Sequence, residues 1–163
     1  MKKIRIMFVC HGNICRSPMA EFIMKKLVGE RGLSDRFLIN SSATSTEEIW
    51  RGIGSPIHRE AKRELARHGV LYSERRATLL EKGDYSEYDL FVGMDSRNVE
   101  NMHRIFTADP DGKIKLLMEF TDRGGEVSDP YYTGDFGKAY IDIHNGCEAL
   151  LDVLTKNINK CNV

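Results

Sequence analysis

The sequence predicts an α/β fold in which a mostly parallel β-sheet is covered by helices on both faces. Short apolar runs alternate with longer segments of helical periodicity, which is typical of strands joined by right-handed helical crossovers. The 163 residues suffice for one sizeable hydrophobic core and are too few for two ordinary domains. Since no repeat or Pro/Gly/Ser-rich linker marks a boundary, we expect residues 1–163 to form a single domain.

The first predicted element is a buried strand over residues 4–9. This run is short, contains β-branched residues and ends at a loop that contains Gly12. Ser17 and Pro18 follow as a helix cap and a first-turn proline, and apolar residues then recur at helical spacing. The sequence therefore predicts a strand, a loop and a helix in succession.

The remaining elements continue this alternation. Three further short apolar runs predict strands, at residues 37–41, 89–94 and 113–120. Two segments between these runs predict helices, at residues 56–68 and from residue 95 or 96 to residue 106. Apolar residues from Phe136 to Ile158 recur at helical spacing and predict a long amphipathic C-terminal helix.

Composition and charge argue against several functional classes. Lys plus Arg and Asp plus Glu both number 24, so no global field attracts nucleic acid or an anionic membrane. The apolar run at residues 4–10 is far too short to cross a bilayer, and no small-residue cleavage site follows it. The four cysteines are too sparse for a secreted disulfide scaffold, which favours reduced thiols. We expect a cytoplasmic protein that binds neither nucleic acid nor membranes.

The segment from Cys10 to Arg16 carries the strongest chemical signal. A cysteine and an arginine separated by five residues, at the carboxyl end of a strand and before a helix, provide what a phosphate cradle needs. Gly12 permits close backbone approach, and Asn13 tolerates a left-handed conformation. Arg16 supplies a planar fork for phosphate oxygens, and the same donors favour a Cys10 thiolate that attacks phosphorus. The predicted phosphate-binding residues are His11, Gly12, Asn13, Ile14, Cys15, Arg16 and Ser17.

Two of these residues also have simpler interpretations. Cys10 alone could be a buried apolar residue at the end of a strand, but Arg16 six positions later favours the catalytic interpretation. Ser17 could cap the helix only, or also donate a hydrogen bond to the Cys10 sulfur and help it leave.

Asp129 is the predicted proton donor. The leaving group of a phosphate ester needs a proton, and Asp129 follows the last predicted strand, on the same rim of the sheet as Cys10. Pro130 would stiffen this loop, and Tyr131 and Tyr132 could form a slot for an aromatic ring. After proton transfer, Asp129 could activate water. The alternative is an ordinary Asp-Pro turn with surface tyrosines.

Together these residues carry a family resemblance. The segment from Cys10 to Pro18 resembles the V-C-x-G-N-I-C-R-S-P signature of the low-molecular-weight protein tyrosine phosphatases, and the segment from Asp129 to Tyr132 resembles their D-P-Y-Y loop. The resemblance implies hydrolysis of phosphotyrosine in proteins or peptides through a phosphocysteine on Cys10, with phosphate and other oxyanions as further ligands. It implies no metal or organic cofactor.

The same resemblance implies further structural features. It implies a single three-layer domain with a four-stranded parallel sheet in the order 2-1-3-4, and hydrogen bonds from Asn13 and Ser41 that brace the phosphate-binding loop.

The sequence departs from the family at two places. Glu47 stands where an aromatic residue often lines the pocket, so Trp50 becomes a second candidate for covering the pocket mouth. A histidine that commonly supports the loop has no obvious counterpart, because residues 73–76 read Ser-Glu-Arg-Arg.

Three other functions remain open from the sequence. An arsenate reductase of the same fold needs a downstream cysteine pair, and none lies between Cys15 and Cys147. An arginine phosphatase tends to carry threonine at the position of Ile14 and lacks the paired tyrosines. A phosphocysteine carrier would not be expected to keep both Arg16 and Asp129.

Cys15 is the predicted redox partner of Cys10. An accessible thiolate is oxidised first to sulfenic acid, and a neighbouring thiol can trap that species as a disulfide. Within the family resemblance, this second cysteine can pair with the first. The alternative is that Cys15 only packs beneath the loop. The sequence also leads us to expect a monomer or weak dimer.

Overall fold

A parallel β-sheet lies at the centre of the structure, a computed structural model that describes residues 2–161. Within this range the chain forms these strands: β1 (Ile4–Cys10), β2 (Phe37–Ala43), β3 (Ile49–Trp50), β4 (Ile53–Gly54), β5 (Leu90–Gly93) and β6 (Ile114–Leu116). The main sheet has the order β2-β1-β5-β6, and all its pairs are parallel. Counting only these four strands, the predicted order 2-1-3-4 is confirmed.

Helices surround this sheet. They are α1 (Arg16–Glu30), α2 (Arg59–Arg67), α3 (Asp84–Glu87), α4 (Ser96–Phe106), α5 (Pro130–Thr133) and α6 (Phe136–Cys161). Two short 3₁₀ helices lie at Ser34–Arg36 and Leu117–Phe120. Among residues 2–161, no helix combines the length and apolarity that crossing a membrane requires.

The central strand β1 contributes side chains to two separate cores. Ile6 and Phe8 belong to the larger core with residues of α1, α2 and α6. Met7 and Val9 belong to a smaller core with residues of α4 and β5 on the other face. The alternation arises because successive side chains of a strand point to opposite faces. Because β1 is buried on both faces, its sequence is mostly apolar and does not alternate with polar residues. The predicted helices on both faces of the sheet are confirmed.

Two predicted boundaries and one predicted loop were wrong. The fourth strand of the sheet ends at Leu116, because Leu117–Phe120 turns into a 3₁₀ helix instead of extending to residue 120. Helix α2 starts at Arg59 instead of residue 56, because His58 caps it by accepting a hydrogen bond from the backbone N–H of Glu60. The predicted loop after Asp129 is the one-turn helix α5.

The predicted helix cap at Ser17 was also wrong. Helix α1 begins at Arg16, and its N-cap position is Cys15, which makes no side-chain capping bond. Ser17 is the second residue of the helix, and its hydroxyl points back toward Cys10. The loop is therefore two residues shorter than a Ser17 cap would require.

A short hairpin formed by β3 and β4 carries the variable segment next to the loop. Its turn contains Arg51 and Gly52, both with positive φ. Gly54 lies so close to the backbone of Ala77 that a Cβ there would come within 2.0 Å of the Ala77 carbonyl oxygen. Glycine is therefore required at position 54 by close approach of two backbones.

Candidate active site

The loop between β1 and α1 lies at the base of a cleft of about 260 Å³. Asn13 has a φ of 59°, which allows the chain to turn sharply between strand and helix. A Cβ at Gly12 would lie 3.1 Å from Cγ of Glu48, so the loop passes close to the variable segment. The cleft is lined by Cys10, His11, Gly12, Ile14, Cys15, Arg16, Glu47, Glu48, Asp129, Tyr131 and Tyr132.

Cys10 is buried, and its sulfur lies 3.0 Å from the hydroxyl oxygen of Ser17. The same oxygen accepts a hydrogen bond of 2.8 Å from Nδ2 of Asn13. The single hydroxyl hydrogen of Ser17 is therefore free to point at the sulfur. A donor at this position stabilises a thiolate and assists its departure as a leaving group.

Arg16 is almost fully buried and is held by three partners. Nη1 donates to Oδ2 of Asp95 and to the carbonyl oxygen of Val127, both at 2.8 Å, and Nη2 donates to Oδ2 of Asp129 at 3.4 Å. Burial acts to lower the pKa of Arg16, but the negative charges of Cys10, Asp95 and Asp129 outweigh it and raise the pKa above its usual value. Three of the five N–H donors are used, which leaves two for a bidentate grip on phosphate.

Asp129 is fixed by the helix that it caps. Its Oδ1 accepts a hydrogen bond of 3.0 Å from the backbone N–H of Tyr131, and Pro130 occupies the first turn. Oδ2 faces Arg16 across the cleft. One oxygen thus positions the carboxyl group and the other is directed toward the reacting centre.

The side chains at the cleft mouth are mostly exposed. Tyr131 and Tyr132 stand nearly perpendicular, with ring centroids 5.1 Å apart. Glu47 pairs with His11 at 2.8 Å between Oε2 and Nε2. Trp50 is not among the lining residues: it lies on β3, 71% exposed, with the Arg51 guanidinium 4.4 Å above its ring.

Cys15 is buried at the end of the loop and lines the same cleft as Cys10. Burial is the main cause that raises the pKa of Cys15 to about 12, and the negative charge of Cys10 adds to it. Cys147 is fully buried in the larger core, where burial also raises its pKa. Cys147 therefore lies apart from the cleft.

Three functional candidates were missed by the sequence analysis. Glu48 lines the cleft beside Glu47. Asp95, for which the sequence analysis predicted no role in the cleft, holds Arg16. Arg75, in the segment without the expected histidine, bonds to Asn13 and Ser41 behind the loop. Among residues 2–161, no three His, Cys, Asp or Glu side chains converge as a metal site.

A Cys-x5-Arg loop at the carboxyl end of a central parallel strand, faced by an aspartate, defines the class of cysteine-dependent phosphatases. Within this class, the model of the low molecular weight phosphotyrosine protein phosphatases matches residues 5–160, and the chain belongs to this family.

Individual relatives agree with this assignment. A low molecular weight protein-tyrosine-phosphatase, PtpA of Staphylococcus epidermidis, is 35% identical over 157 residues, covering 96% of this chain and 97% of PtpA. The crystal structure of YfkJ from Bacillus subtilis aligns with a TM-score of 0.90 at 31% identity, covering 96% and 98% of the two chains. A drosophila arginine phosphatase aligns with a TM-score of 0.80 at 28% identity, covering 94% and 98%.

Proposed function

We propose that this enzyme hydrolyses phosphotyrosine in proteins or peptides through a phosphocysteine intermediate on Cys10. The observation that carries the proposal is the meeting of Cys10, Arg16 and Asp129 in one cleft whose mouth carries Tyr131 and Tyr132. The two tyrosines provide flat apolar surface for a phenyl ring, while the loop binds the phosphate.

The first chemical step transfers the phosphoryl group to the enzyme. The Cys10 thiolate attacks phosphorus, a P–S bond forms and the P–O bond to the tyrosine breaks. Asp129, in its acid form, gives its proton to the departing phenolic oxygen. Arg16 and the backbone N–H groups of the loop hold the equatorial oxygens of the transition state.

The second step releases phosphate. The Asp129 carboxylate takes a proton from water as the water oxygen attacks phosphorus, and the P–S bond breaks. Cys10 leaves as a thiolate, which accepts a hydrogen bond from Ser17 at the 3.0 Å separation of the two atoms. Asp129 is thereby returned to its acid form.

Phosphoarginine is the second candidate substrate. The carboxylates of Glu47 and Glu48 line the cleft and would favour a cationic guanidinium there. Ile14 and the paired tyrosines instead suit an apolar aromatic ring, so we place phosphotyrosine first.

A panel of phosphopeptides tests this choice. Peptides of one sequence carrying phosphotyrosine, phosphoserine or phosphoarginine are compared by kcat/KM, with Cys10→Ser as the inactive control. We expect phosphotyrosine to be the best substrate. A preference for phosphoarginine would replace the proposed substrate, and comparable turnover by Cys10→Ser would remove the proposed nucleophile.

We further propose that residues 1–163 act as one phosphatase domain in the cytoplasm, as a monomer or weak dimer. The buried free thiols of Cys10, Cys15 and Cys147 fit a reducing compartment. The most exposed large apolar side chains, Leu71, Tyr132, Tyr131 and Trp50, lie on three separate segments of the chain. Analytical ultracentrifugation of the purified protein tests the oligomeric state.

A further inference from the structure

Arg75 lies behind the phosphate-binding loop and joins three segments of the chain. Its Nη2 donates to Oδ1 of Asn13 at 2.8 Å, and its Nη1 donates to Oγ of Ser41 at 2.6 Å and to Oε1 of Glu21 at 2.9 Å. Asn13 belongs to the loop, Ser41 to β2 and Glu21 to α1. A single guanidinium group therefore fixes the loop relative to the strand and helix beside it.

Glu21 anchors this guanidinium. The Glu21 side chain is 3% exposed and that of Arg75 is 17% exposed, so the pair is shielded from solvent. Burial raises the pKa of Glu21, although the charges of Arg75 and Lys25 oppose that shift. Without Arg75, a buried carboxylate would lose its closest positive partner.

The guanidinium, together with the Thr78 backbone N–H, determines which way the Asn13 amide faces. Arginine has only N–H donors, so Asn13 must present its carbonyl oxygen to Arg75. The backbone N–H of Thr78 donates to the same oxygen at 3.1 Å. The amide nitrogen of Asn13 then faces the other way and donates to Oγ of Ser17 at 2.8 Å and to Oγ of Ser41 at 3.0 Å.

This orientation continues to the nucleophile. Since Ser17 accepts from Asn13, its one hydrogen is left for the Cys10 sulfur, 3.0 Å away. We propose that Arg75 is a positioning residue for the phosphatase reaction, one that orients Asn13 so that Ser17 donates to Cys10. The inference rests on the proposed function for its effect on turnover, but the hydrogen-bond order itself does not depend on the substrate.

A histidine in this place would not impose the same order. A neutral imidazole has one donor and one acceptor nitrogen, so it would leave the orientation of the Asn13 amide to the Thr78 N–H alone. Arginine stays protonated at all accessible pH values and offers several donors in one plane. The structure therefore assigns to Arg75 a fixed direction of donation that is independent of pH.

The test measures the Cys10 sulfur directly. Iodoacetate alkylation of Cys10 is followed from pH 4 to pH 9 in wild type, Arg75→Lys and the double variant Arg75→Met/Glu21→Gln, which removes the stranded carboxylate as well. We expect the midpoint of the alkylation profile to rise by about one pH unit in the double variant and less in Arg75→Lys. We also expect kcat to fall about 10- to 100-fold, with a smaller change in KM.

Arg67→Met is the matched control, because Arg67 pairs at 2.8 Å with the buried Glu64 on α2, away from the cleft. Its alkylation profile should equal that of wild type. A wild-type midpoint and kcat in a folded double variant, verified by circular dichroism, would overturn the role of Arg75. If that variant does not fold, a wild-type midpoint and kcat in Arg75→Gln, whose amide can accept as well as donate, would overturn it. Alkylation needs no phosphoester, so failure of wild type to hydrolyse phosphotyrosine would refute the proposed function alone.

Discussion

Arg16 and Asp129 are separated by 113 positions in the chain, yet Nη2 of Arg16 lies 3.4 Å from Oδ2 of Asp129. The contact joins the phosphate-binding loop to the segment that supplies the proton. Among the described residues, Arg16 is the one arginine that lines the cleft, and its guanidinium is almost fully buried. The contact places this guanidinium against Asp129, the proposed acid.

The geometry of Arg16 predicts that lysine cannot replace it. An ammonium group cannot bond Asp95 and the Val127 carbonyl while also gripping two phosphate oxygens. We expect Arg16→Lys to fold, to lower kcat/KM by at least about 100-fold and to weaken inhibition by inorganic phosphate. Steady-state kinetics measure both effects. Inhibition by phosphate as strong as in wild type would mean that Arg16 does not hold the phosphate.

Replacing Cys10 separates binding from chemistry. Cys10→Ser keeps the loop and the Arg16 fork but lacks the thiolate, so we expect it to bind phosphate or vanadate without turnover. Isothermal titration calorimetry and a phosphate-release assay measure the two properties. Loss of binding together with turnover would indicate a collapsed loop instead of a missing nucleophile.

The role of Asp129 depends on the leaving group. Asp129→Asn cannot donate the proton, so hydrolysis of phosphotyrosine should fall by about 10²–10⁴-fold. Aryl phosphates with acidic leaving groups need little protonation and should be affected much less. A plot of log kcat against leaving-group pKa checks this expectation. The slope should become steeper in the variant, and parallel slopes would assign the proton to another residue.

Two carboxylates at the cleft mouth predict a charge preference. Glu47 is hydrogen-bonded to His11, whereas the neighbouring Glu48 has no such partner among the described residues. Acidic flanks on a phosphopeptide should therefore be disfavoured, and Glu48→Gln should relax this preference more than Glu47→Gln. Screening limits the effect at physiological salt, where the Debye length is about 8 Å. Peptides with acidic and basic flanks, compared by kcat/KM at two salt concentrations, measure it.

Cys15 should protect Cys10 from irreversible oxidation, and more effectively at higher pH. Burial is the main cause that raises the pKa of Cys15 to about 12, so thiolate attack on a Cys10 sulfenic acid is slow near neutrality. Each pH unit should increase trapping by up to about tenfold until the pKa is reached. Activity recovered by dithiothreitol after mild peroxide should rise with pH in wild type. Equal recovery in Cys15→Ser would leave Cys15 with a packing role only.

The sequence predicts contacts between residues close together in the chain better than contacts between residues far apart in the chain. The strand, loop and helix around Cys10 follow from local periodicity and were predicted, apart from the position of the helix cap. The helix after Asp129 was missed although an aspartate followed by proline is a local start signal. Arg75 could not be assigned to Asn13, because 62 positions separate them and no local pattern encodes that contact. The position of Trp50 likewise depends on the turn at Arg51, where positive φ is uncommon.

The close backbone approach at Gly54 limits how the sequence of this enzyme can diverge, because it couples the hairpin to the segment that carries Arg75. Ser55 donates to the Glu48 carbonyl at 2.7 Å and accepts from the Ala77 N–H at 2.9 Å, so the segment that carries the mouth carboxylates is tied to the segment that carries Arg75. Mutations that reshape the hairpin to suit a new substrate also strain the attachment of Arg75. The two stretches of sequence should therefore change together during evolution, and a hairpin transplanted from a relative should need residues 73–78 of the same donor to give an active chimaera.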